Sequence, residues 1–135
     1  MHRRNFLSLS AAALLTPAAL QAAETLKYRP GVVDALLKDG KTVFVDFYTE
    51  WCSTCRAQGR AIEALRGENP AYDAAMTFVK VDWDVYSGSA IAAQYEIPRR
   101  STLLVLRGDA ELGRIVADAS RASIKALMDK GLAGA

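Results

Sequence analysis

Two cysteines separated by two residues are the feature of this chain best suited to chemistry. The segment is Trp51-Cys52-Ser53-Thr54-Cys55, and it follows an apolar strand-like run and begins a helix-like one. This spacing brings both sulfurs onto one helical turn. Cys52 then lies at or near a helix N-terminus, where unpaired N–H groups and the positive dipole end favour a thiolate. We therefore predict a redox-active disulfide pair, with Cys52 as the exposed nucleophile and Cys55 as the more buried, resolving thiol.

Other uses of the cysteine pair fit the sequence less well. A purely structural Cys52–Cys55 disulfide would close a very small loop and constrain the unfolded chain little. A metal site needs about four ligands, whereas the chain has two cysteines and one histidine, His2. A metal or iron–sulfur site would need the cysteine pairs of two chains, and this is the alternative function; otherwise no cofactor is expected. A redox-inactive binding domain is a third hypothesis, which the intact pair disfavours.

Asp46 is the third candidate for catalysis, because it lies inside an apolar strand-like run. A buried carboxylate without a partner has a raised pKa and could serve as the general base that deprotonates Cys55 during resolution. The alternative is that Asp46 points to the solvent face of the strand, or that Lys41 or Lys80 pairs with it.

Periodicity and breaker residues predict the elements that position these groups. Early alternation of helices and strands predicts parallel strands with crossover helices, and a late turn at Gly108-Asp109 predicts a hairpin; the fold class is therefore α/β with a mixed sheet. Residues 24–31 are expected to be irregular, and Gly131 is expected to end a last helix that Ser120 caps. The predicted strands are 42–48, 77–81, 102–106 and 112–116, and the predicted helices are 32–38, 52–66, 71–76, 87–95 and 121–130.

Residues 1–23 have the pattern of an export signal. A short basic start precedes an apolar run that ends in small residues, with Ala22 and Ala23 as candidate cleavage positions. The alternative is a segment that is not cleaved and remains as an anchor. We predict a mature domain over residues 24–135 in the periplasm, where disulfides persist.

The basic start carries paired arginines, Arg3 and Arg4, in the sequence R-R-N-F-L. This motif resembles a twin-arginine signal, which bacteria use to export proteins that are already folded. The alternative is a general secretory signal that happens to carry two arginines.

Charge and length restrict the remaining possibilities. The chain has 17 Lys and Arg against 15 Asp and Glu. Arg3 and Arg4 account for the excess, so the remainder is near neutral and indicates no nucleic-acid partner. A length of 135 residues predicts one domain that can bury a core without the support of disulfides or metals. We expect a monomer.

The segment around the cysteines resembles the active-site segment of the thioredoxin family. It is V-D-F-Y-T-E-W-C-S-T-C-R over residues 45–56, where that family usually has V-D-F-W-A-x-W-C-G-P-C-K. Further blocks that resemble the family are V-K-V-D at 79–82, Y-E-I at 95–97 and T-L-L-V-L at 102–106. The similarity covers roughly residues 30–131. It implies a thioredoxin-like three-layer α/β/α sandwich around a mixed sheet of about four strands.

The resemblance also implies roles for individual residues. Cys52 would be the nucleophile and Cys55 the resolving thiol. Asp46 would be the buried acid–base group, and Trp51 would form a wall of the substrate groove.

The main departure from the family pattern lies just before the third predicted strand. The family has a cis-proline there, facing the active site, and this chain has Ser101. A cis bond before a non-proline residue is costly, so we predict a trans or strained bond between Arg100 and Ser101. The family's loop pairs with substrate backbone, which implies Arg100, Ser101 and Thr102 as substrate-binding residues.

Two further departures concern the helix that carries the cysteines. Ser53-Thr54 stands where the family has Gly-Pro, and Arg60 stands where the family has a helix-kinking proline. The two hydroxyls are expected to change the redox potential.

Together these features predict an exported protein disulfide oxidoreductase. Its partners would be protein thiols or disulfides and a membrane or periplasmic electron donor or acceptor. The sequence leaves the redox direction open, because oxidants and reductants share the motif.

Overall fold

A computed structural model describes residues 24–134, which form a five-stranded sheet with helices on both faces. β1, β3 and β2 run parallel, whereas β4 is antiparallel to β2 and to β5. The predicted mixed sheet and late hairpin are therefore confirmed. The strands are β1 (Leu26–Lys27), β2 (Thr42–Tyr48), β3 (Met76–Asp82), β4 (Thr102–Arg107) and β5 (Ala110–Val116), in the spatial order β1-β3-β2-β4-β5.

The described residues also form six helices, which pack on the sheet as two outer layers. They are α1 (Val32–Lys38), α2 (Ser53–Glu68), α3 (Ala71–Ala75), α4 (Trp83–Tyr86), α5 (Ala90–Gln94) and α6 (Arg121–Leu132).

The alternation of side chains along β2 divides the core into two clusters. Val43, Val45 and Phe47 pack on one face with residues of α1 and α5. Phe44 packs on the other face with residues of α2, α3 and α6. Because successive strand residues point to opposite faces, Asp46 shares the face of Phe44, beneath the helix that carries the cysteines. The predicted three-layer sandwich is confirmed.

Three details differ from the sequence predictions. The segment 24–31 contains a strand, β1, so the sheet has five strands; β1 has only two residues, both exposed, and therefore shows no periodicity. The helix predicted over 87–95 is shorter, α5 over Ala90–Gln94, and a separate helix, α4 over Trp83–Tyr86, precedes it where none was predicted. Gly131 does not end the last helix, because α6 continues to Leu132.

Gly131 has a packing role in place of a terminating one. It is buried in α6, and a Cβ built on it would lie within 3.0 Å of the Cγ and Cε atoms of Met76. Met76 is itself only 3% exposed, so its side chain has little room to move. The absence of a side chain at Gly131 allows α6 to approach the start of β3.

The predicted export segment, residues 1–23 with Arg3 and Arg4, lies outside the described residues, as does its predicted cleavage position. In the described part of the chain, residues 24–134, no helix is both long enough and apolar enough to cross a membrane.

We expect Gly131→Ala to destabilise the protein by about 1–3 kcal/mol, because the added methyl group overpacks the contact with Met76. The matched control is Gly67→Ala in the exposed end of α2, where an added Cβ meets nothing within 4 Å. That change is expected to raise stability by about 0.5 kcal/mol, through helix propensity. Urea unfolding of both variants measures the difference, and equal effects would contradict the packing role of Gly131.

Candidate active site

Cys52 lies at the point where the chain leaves β2 and enters α2. It is the N-cap of that 16-residue helix, and its Sγ accepts a hydrogen bond from the Cys55 N–H at 3.2 Å. The Cys52 carbonyl accepts the next helical hydrogen bond, from the Arg56 N–H at 3.0 Å. The thiol therefore occupies the position at which a helix N-terminus stabilises negative charge.

Both cysteines are free thiols, and each residue is 5% exposed. The prediction that Cys52 is the exposed member of the pair is therefore wrong for the dithiol. The burial follows from contacts with the loop before β4, which covers the sulfurs. The two thiols differ instead in their electrostatic surroundings.

Hydrogen bonds make Cys52 the more acidic thiol. Burial raises its pKa, but hydrogen bonds from the Cys55 side chain, the Ser101 hydroxyl, the Cys55 N–H and the Arg100 side chain together lower it to about 6. The pKa of Cys55 is raised, first by burial and then by its hydrogen bond to Cys52. At neutral pH the pair therefore holds one thiolate, on Cys52, and one thiol, on Cys55.

Ser101 is fully buried between the two sulfurs. Its Oγ lies 3.0 Å from the Cys55 Sγ and 3.3 Å from the Cys52 Sγ. The peptide bonds of the described residues are all trans, and Ser101 has a φ of 63°. The departure from a cis-proline is thus accommodated by a left-handed backbone at Ser101, a conformation uncommon for residues other than glycine.

Backbone hydrogen bonds fix Ser101 in this conformation. Its N–H donates to the Phe47 carbonyl at 2.7 Å, and its carbonyl accepts from the Ala117 N–H at 2.9 Å. The Nε2 of Gln58 donates to the same Ser101 carbonyl at 3.0 Å, and also to the Asp118 carbonyl at 3.1 Å.

Gln58 is a site residue that the sequence analysis missed. It is 0% exposed and lies one turn after Cys55 in α2. A buried glutamine on the same helix face as Cys55, Ile62 and Leu65 was the available signal, because a polar side chain on an apolar face must find partners. Its two hydrogen bonds join α2 to the loops before β4 and after β5.

Asp46 is 5% exposed, so the alternative that it faces solvent is excluded. Its Oδ1 is buried without a hydrogen-bond partner. Burial is the main cause that raises its pKa to about 7. The charge of Lys80 opposes this rise, and the charge of Cys52 adds to it. Lys80 lies opposite Asp46 on β3, and its Nζ is 4.1 Å from the ring centroid of Tyr48.

A small cavity of about 30 Å³ lies beside Asp46 and is lined also by Gly59 and Lys80. That volume is enough for about one water molecule. A larger groove of about 550 Å³ shares Gly59 and Lys80 and is lined by Cys55 as well. The buried carboxyl and the resolving cysteine therefore border adjoining spaces on the same side of α2.

Trp51 and Arg100 form the outer rim of the site. Trp51 is 59% exposed, and its Nε1 donates to Asp84 at 2.9 Å. The Arg100 guanidinium lies 4.2 Å from the centre of a Trp51 ring, a cation–π contact. Thr102 is buried instead, and its hydroxyl donates to the Arg99 carbonyl at 2.7 Å. Of the four residues predicted to bind substrate, Trp51 thus has an exposed side chain and Arg100 a half-buried one, whereas those of Ser101 and Thr102 are buried.

Across residues 24–134, no three His, Cys, Asp or Glu side chains cluster closely enough to hold a metal ion. The donors to the Cys52 sulfur are the Cys55 thiol, the Ser101 hydroxyl, the Cys55 N–H and the Arg100 side chain, all of which stabilise a thiolate directly. This arrangement suits a nucleophilic sulfur.

Sequence comparison identifies relatives of this chain. A family model described as Thioredoxin matches residues 28–130. The chain is 29% identical over 96 residues to a thioredoxin of Echinococcus granulosus, covering 71% of this chain and 83% of the relative. It is 33% identical over 88 residues to a thioredoxin of Chlamydia trachomatis, covering 65% of this chain and 80% of the relative.

Solved structures with a similar fold agree with these matches. The crystal structure of Trxlp from Edwardsiella tarda superposes with a TM-score of 0.65 at 26% identity, covering 76% of this chain and 98% of the other. The crystal structure of Schistosoma mansoni thioredoxin gives a TM-score of 0.63 at 26% identity, covering 79% and 94%. The chain therefore belongs to the thioredoxin family, as a thiol–disulfide oxidoreductase whose CxxC pair is Cys52 and Cys55.

Proposed function

We propose that this protein exchanges disulfides with exported protein substrates through a Cys52/Cys55 dithiol–disulfide cycle. The observation that carries the proposal is the asymmetry of the pair. Cys52 is the N-cap of α2 with a pKa lowered to about 6, and Cys55 has a raised pKa. A reactive thiolate beside a protonated partner is what a two-step exchange requires.

In the first step the Cys52 thiolate attacks one sulfur of a substrate disulfide. The substrate S–S bond breaks, a mixed disulfide to Cys52 forms, and the departing substrate sulfur takes up a proton from solvent. In the second step Cys55 loses its proton and attacks the Cys52 sulfur, which releases the second substrate thiolate. The protein dithiol is oxidised by two electrons and the substrate disulfide is reduced; the reverse sequence oxidises a substrate dithiol.

Asp46 is the proposed acceptor of the Cys55 proton. A carboxyl with a pKa of about 7 exchanges protons readily near neutral pH. The cavity beside Asp46 adjoins the groove that Cys55 lines, and the single water that it can hold would carry the proton between them.

Substrate would bind across the rim formed by Trp51 and Arg100. The exposed Trp51 ring offers apolar surface, and Arg100 contributes a positive charge beside Cys52. Ser101 and Thr102 would contribute by holding the shape of the loop before β4, since their side chains are buried.

The proposed location is the periplasm, with an electron donor or acceptor in the membrane or the same compartment, and a monomeric protein. The support is the sequence of residues 1–23, with the pair Arg3 and Arg4 before an apolar run.

Cysteine substitutions test the cycle. We expect Cys52→Ser to abolish reduction of a disulfide-bonded protein such as insulin, because the nucleophile is lost. Cys55→Ser should also lose turnover but accumulate a mixed disulfide through Cys52, visible by mass spectrometry. Each variant is the control for the other, since each loses one sulfur. Equal trapping by both would contradict the assigned roles, and a purified protein that holds metal between two chains would favour the alternative function.

Asp46→Asn tests the buried carboxyl through stability. Because its folded pKa of about 7 lies above its ordinary value of 3.8, the native state binds a proton that the unfolded state releases between these pH values. Stability therefore falls as pH rises through this window. At about 1.4 kcal/mol per pH unit, Asp46 contributes a fall of about 4 kcal/mol in the wild type, and this contribution should vanish in Asp46→Asn. Cys52, whose pKa is lowered to about 6, contributes a rise above that pH which both proteins share.

Urea unfolding from about pH 4 to pH 8 measures this slope, with Asp109→Asn in the exposed β4–β5 turn as the control. Asp46→Asn should also slow resolution of the mixed disulfide at neutral pH by roughly 100-fold, as expected when a general base is lost. A pH slope equal to that of the wild type would show that Asp46 is not a buried, titrating group.

Export is tested by Arg3→Lys combined with Arg4→Lys in the full chain. The change keeps the positive charge but removes the arginine pair, so a twin-arginine route should fail while a general secretory route continues. Fractionation of bacterial cells that produce the protein measures the result, with His2→Lys as a control that leaves the pair intact. Unchanged export would contradict the twin-arginine route, and retention of the wild type in the cytoplasm would contradict export itself.

A further inference from the structure

The hydroxyl of Ser101 is the one polar side-chain group that contacts both sulfurs of the pair among the described hydrogen bonds. Its Oγ is 3.0 Å from Cys55 and 3.3 Å from Cys52, and the residue is 0% exposed. A serine hydroxyl has one hydrogen to donate and two lone pairs. It can therefore donate to one sulfur at a time, and rotation about its C–O bond selects which one.

The backbone of Ser101 is held so that only the hydroxyl hydrogen needs to move. The Ser101 N–H donates a hydrogen bond to the Phe47 carbonyl. The Ser101 carbonyl accepts hydrogen bonds from the Ala117 N–H and from the Gln58 side chain. The φ of 63° is maintained against the ordinary preference of serine. With the backbone held and the side chain fully buried, the Oγ lies 3.3 Å from Cys52 and 3.0 Å from Cys55, the two sulfurs on which negative charge develops during exchange.

We propose that Ser101 is a further catalytic residue, a shared hydrogen-bond donor that stabilises the thiolates of Cys52 and Cys55 in turn. Before attack, its O–H donates to the Cys52 thiolate while Cys55 keeps its proton. Once Cys52 is bonded to a substrate sulfur it carries no charge. The O–H then turns to Cys55 and stabilises the thiolate that forms as Cys55 loses its proton.

Ser101 keeps its own proton throughout, so it acts as neither acid nor base. The Cys55 proton leaves by another route, and the S–S bonds form and break between Cys52, Cys55 and the substrate as described above. The proposal rests on the proposed function only in taking Cys52 as the nucleophile.

The Ser101 hydroxyl also affects the redox equilibrium of the cysteine pair. Sulfurs in a disulfide are neutral and accept hydrogen bonds weakly, so the Ser101 donor stabilises the reduced, thiolate-bearing state more than the oxidised state. The hydroxyl therefore makes the couple more oxidising than the same site without it. The other groups that act on Cys52 are the Cys55 thiol and N–H, the Arg100 side chain and the charge of Asp46, and all of them remain when Ser101 is changed.

The test compares Ser101→Ala with Ser101→Gly. Both variants lack the hydroxyl, but glycine adopts a φ of 63° without strain whereas alanine does not. We measure the pKa of Cys52 from the pH dependence of alkylation, and the dithiol–disulfide equilibrium against glutathione at about pH 8. Because one hydrogen bond to a charged group is lost, both variants should have a Cys52 ionisation constant about tenfold lower, which is a higher pKa. Their equilibrium should shift about tenfold toward the disulfide, about 30 mV more reducing.

Resolution provides a second readout. The rate at which Cys55 displaces glutathione from a mixed disulfide at Cys52 should fall roughly tenfold in both variants, because the developing Cys55 thiolate loses its donor. Ser89→Ala is the control: it removes a hydroxyl that donates to the Tyr86 carbonyl and should change none of these quantities.

The outcomes separate this proposal from the proposed function. Equal shifts in Ser101→Ala and Ser101→Gly, despite their different stabilities, would support the shared donor. Wild-type values in Ser101→Gly would overturn it, and so would a shift confined to Ser101→Ala, which would assign the effect to the backbone. If the wild type itself shows no acidic thiol and no reversible transition, the dithiol cycle has failed independently of Ser101.

Discussion

The active site depends on the antiparallel pairing of β2 with β4 and on the hydrogen bond that extends it, from the Ser101 N–H to the Phe47 carbonyl. The cysteines follow β2, and Ser101 precedes β4. One ladder therefore determines how far the loop lies from the sulfurs. Any slip in this register would move Ser101 and Arg100 away from Cys52, because a one-residue shift reverses the direction of every side chain on the strand.

Gln58 fixes the position of α2 relative to the loops that adjoin it. The strand ladder fixes the loop relative to the sheet, but α2 could still rotate or slide on its apolar face. The two hydrogen bonds from Gln58 to the Ser101 and Asp118 carbonyls connect the helix to the loops at both sides. Buried polar groups that are held in this way favour one arrangement of packed elements over its neighbours. The sulfurs on α2 and the hydroxyl on the loop are thus kept in a single alignment.

The sequence predicted most of the sheet and the cysteine pair, because β2, β3 and β4 are long apolar runs and CxxC follows one of them. It missed β1, whose two exposed residues have no pattern and which is specified only by pairing with β3. It placed Gly131 at a helix end, because glycine is common there. The close packing of Gly131 against Met76 depends on tertiary structure, which the sequence pattern does not show.

The site was harder to predict where function depends on backbone geometry. Ser101 was identified as the residue in the proline position, but its left-handed φ and its contacts with both sulfurs follow from the loop connections on either side. Gln58 carries no motif, and its partners are backbone carbonyls that no side-chain pattern can reveal. Asp46 was predicted to lie in a strand, but whether it faced solvent was left open, because the sequence does not show that both faces of β2 are covered.

The uptake of electrons by this site is coupled to the uptake of protons through two groups only slightly removed from neutrality. Residues 24–134 contain no histidine, and the pKa values near neutrality belong to Cys52, at about 6, and Asp46, at about 7. Below about pH 6, reduction of the disulfide takes up two protons with its two electrons. At higher pH only one proton is taken up, because Cys52 remains a thiolate. The driving force of the couple therefore varies with the acidity of the surrounding medium, with a steeper slope on the acid side. That dependence originates within the site, where the two titrating groups act on each other.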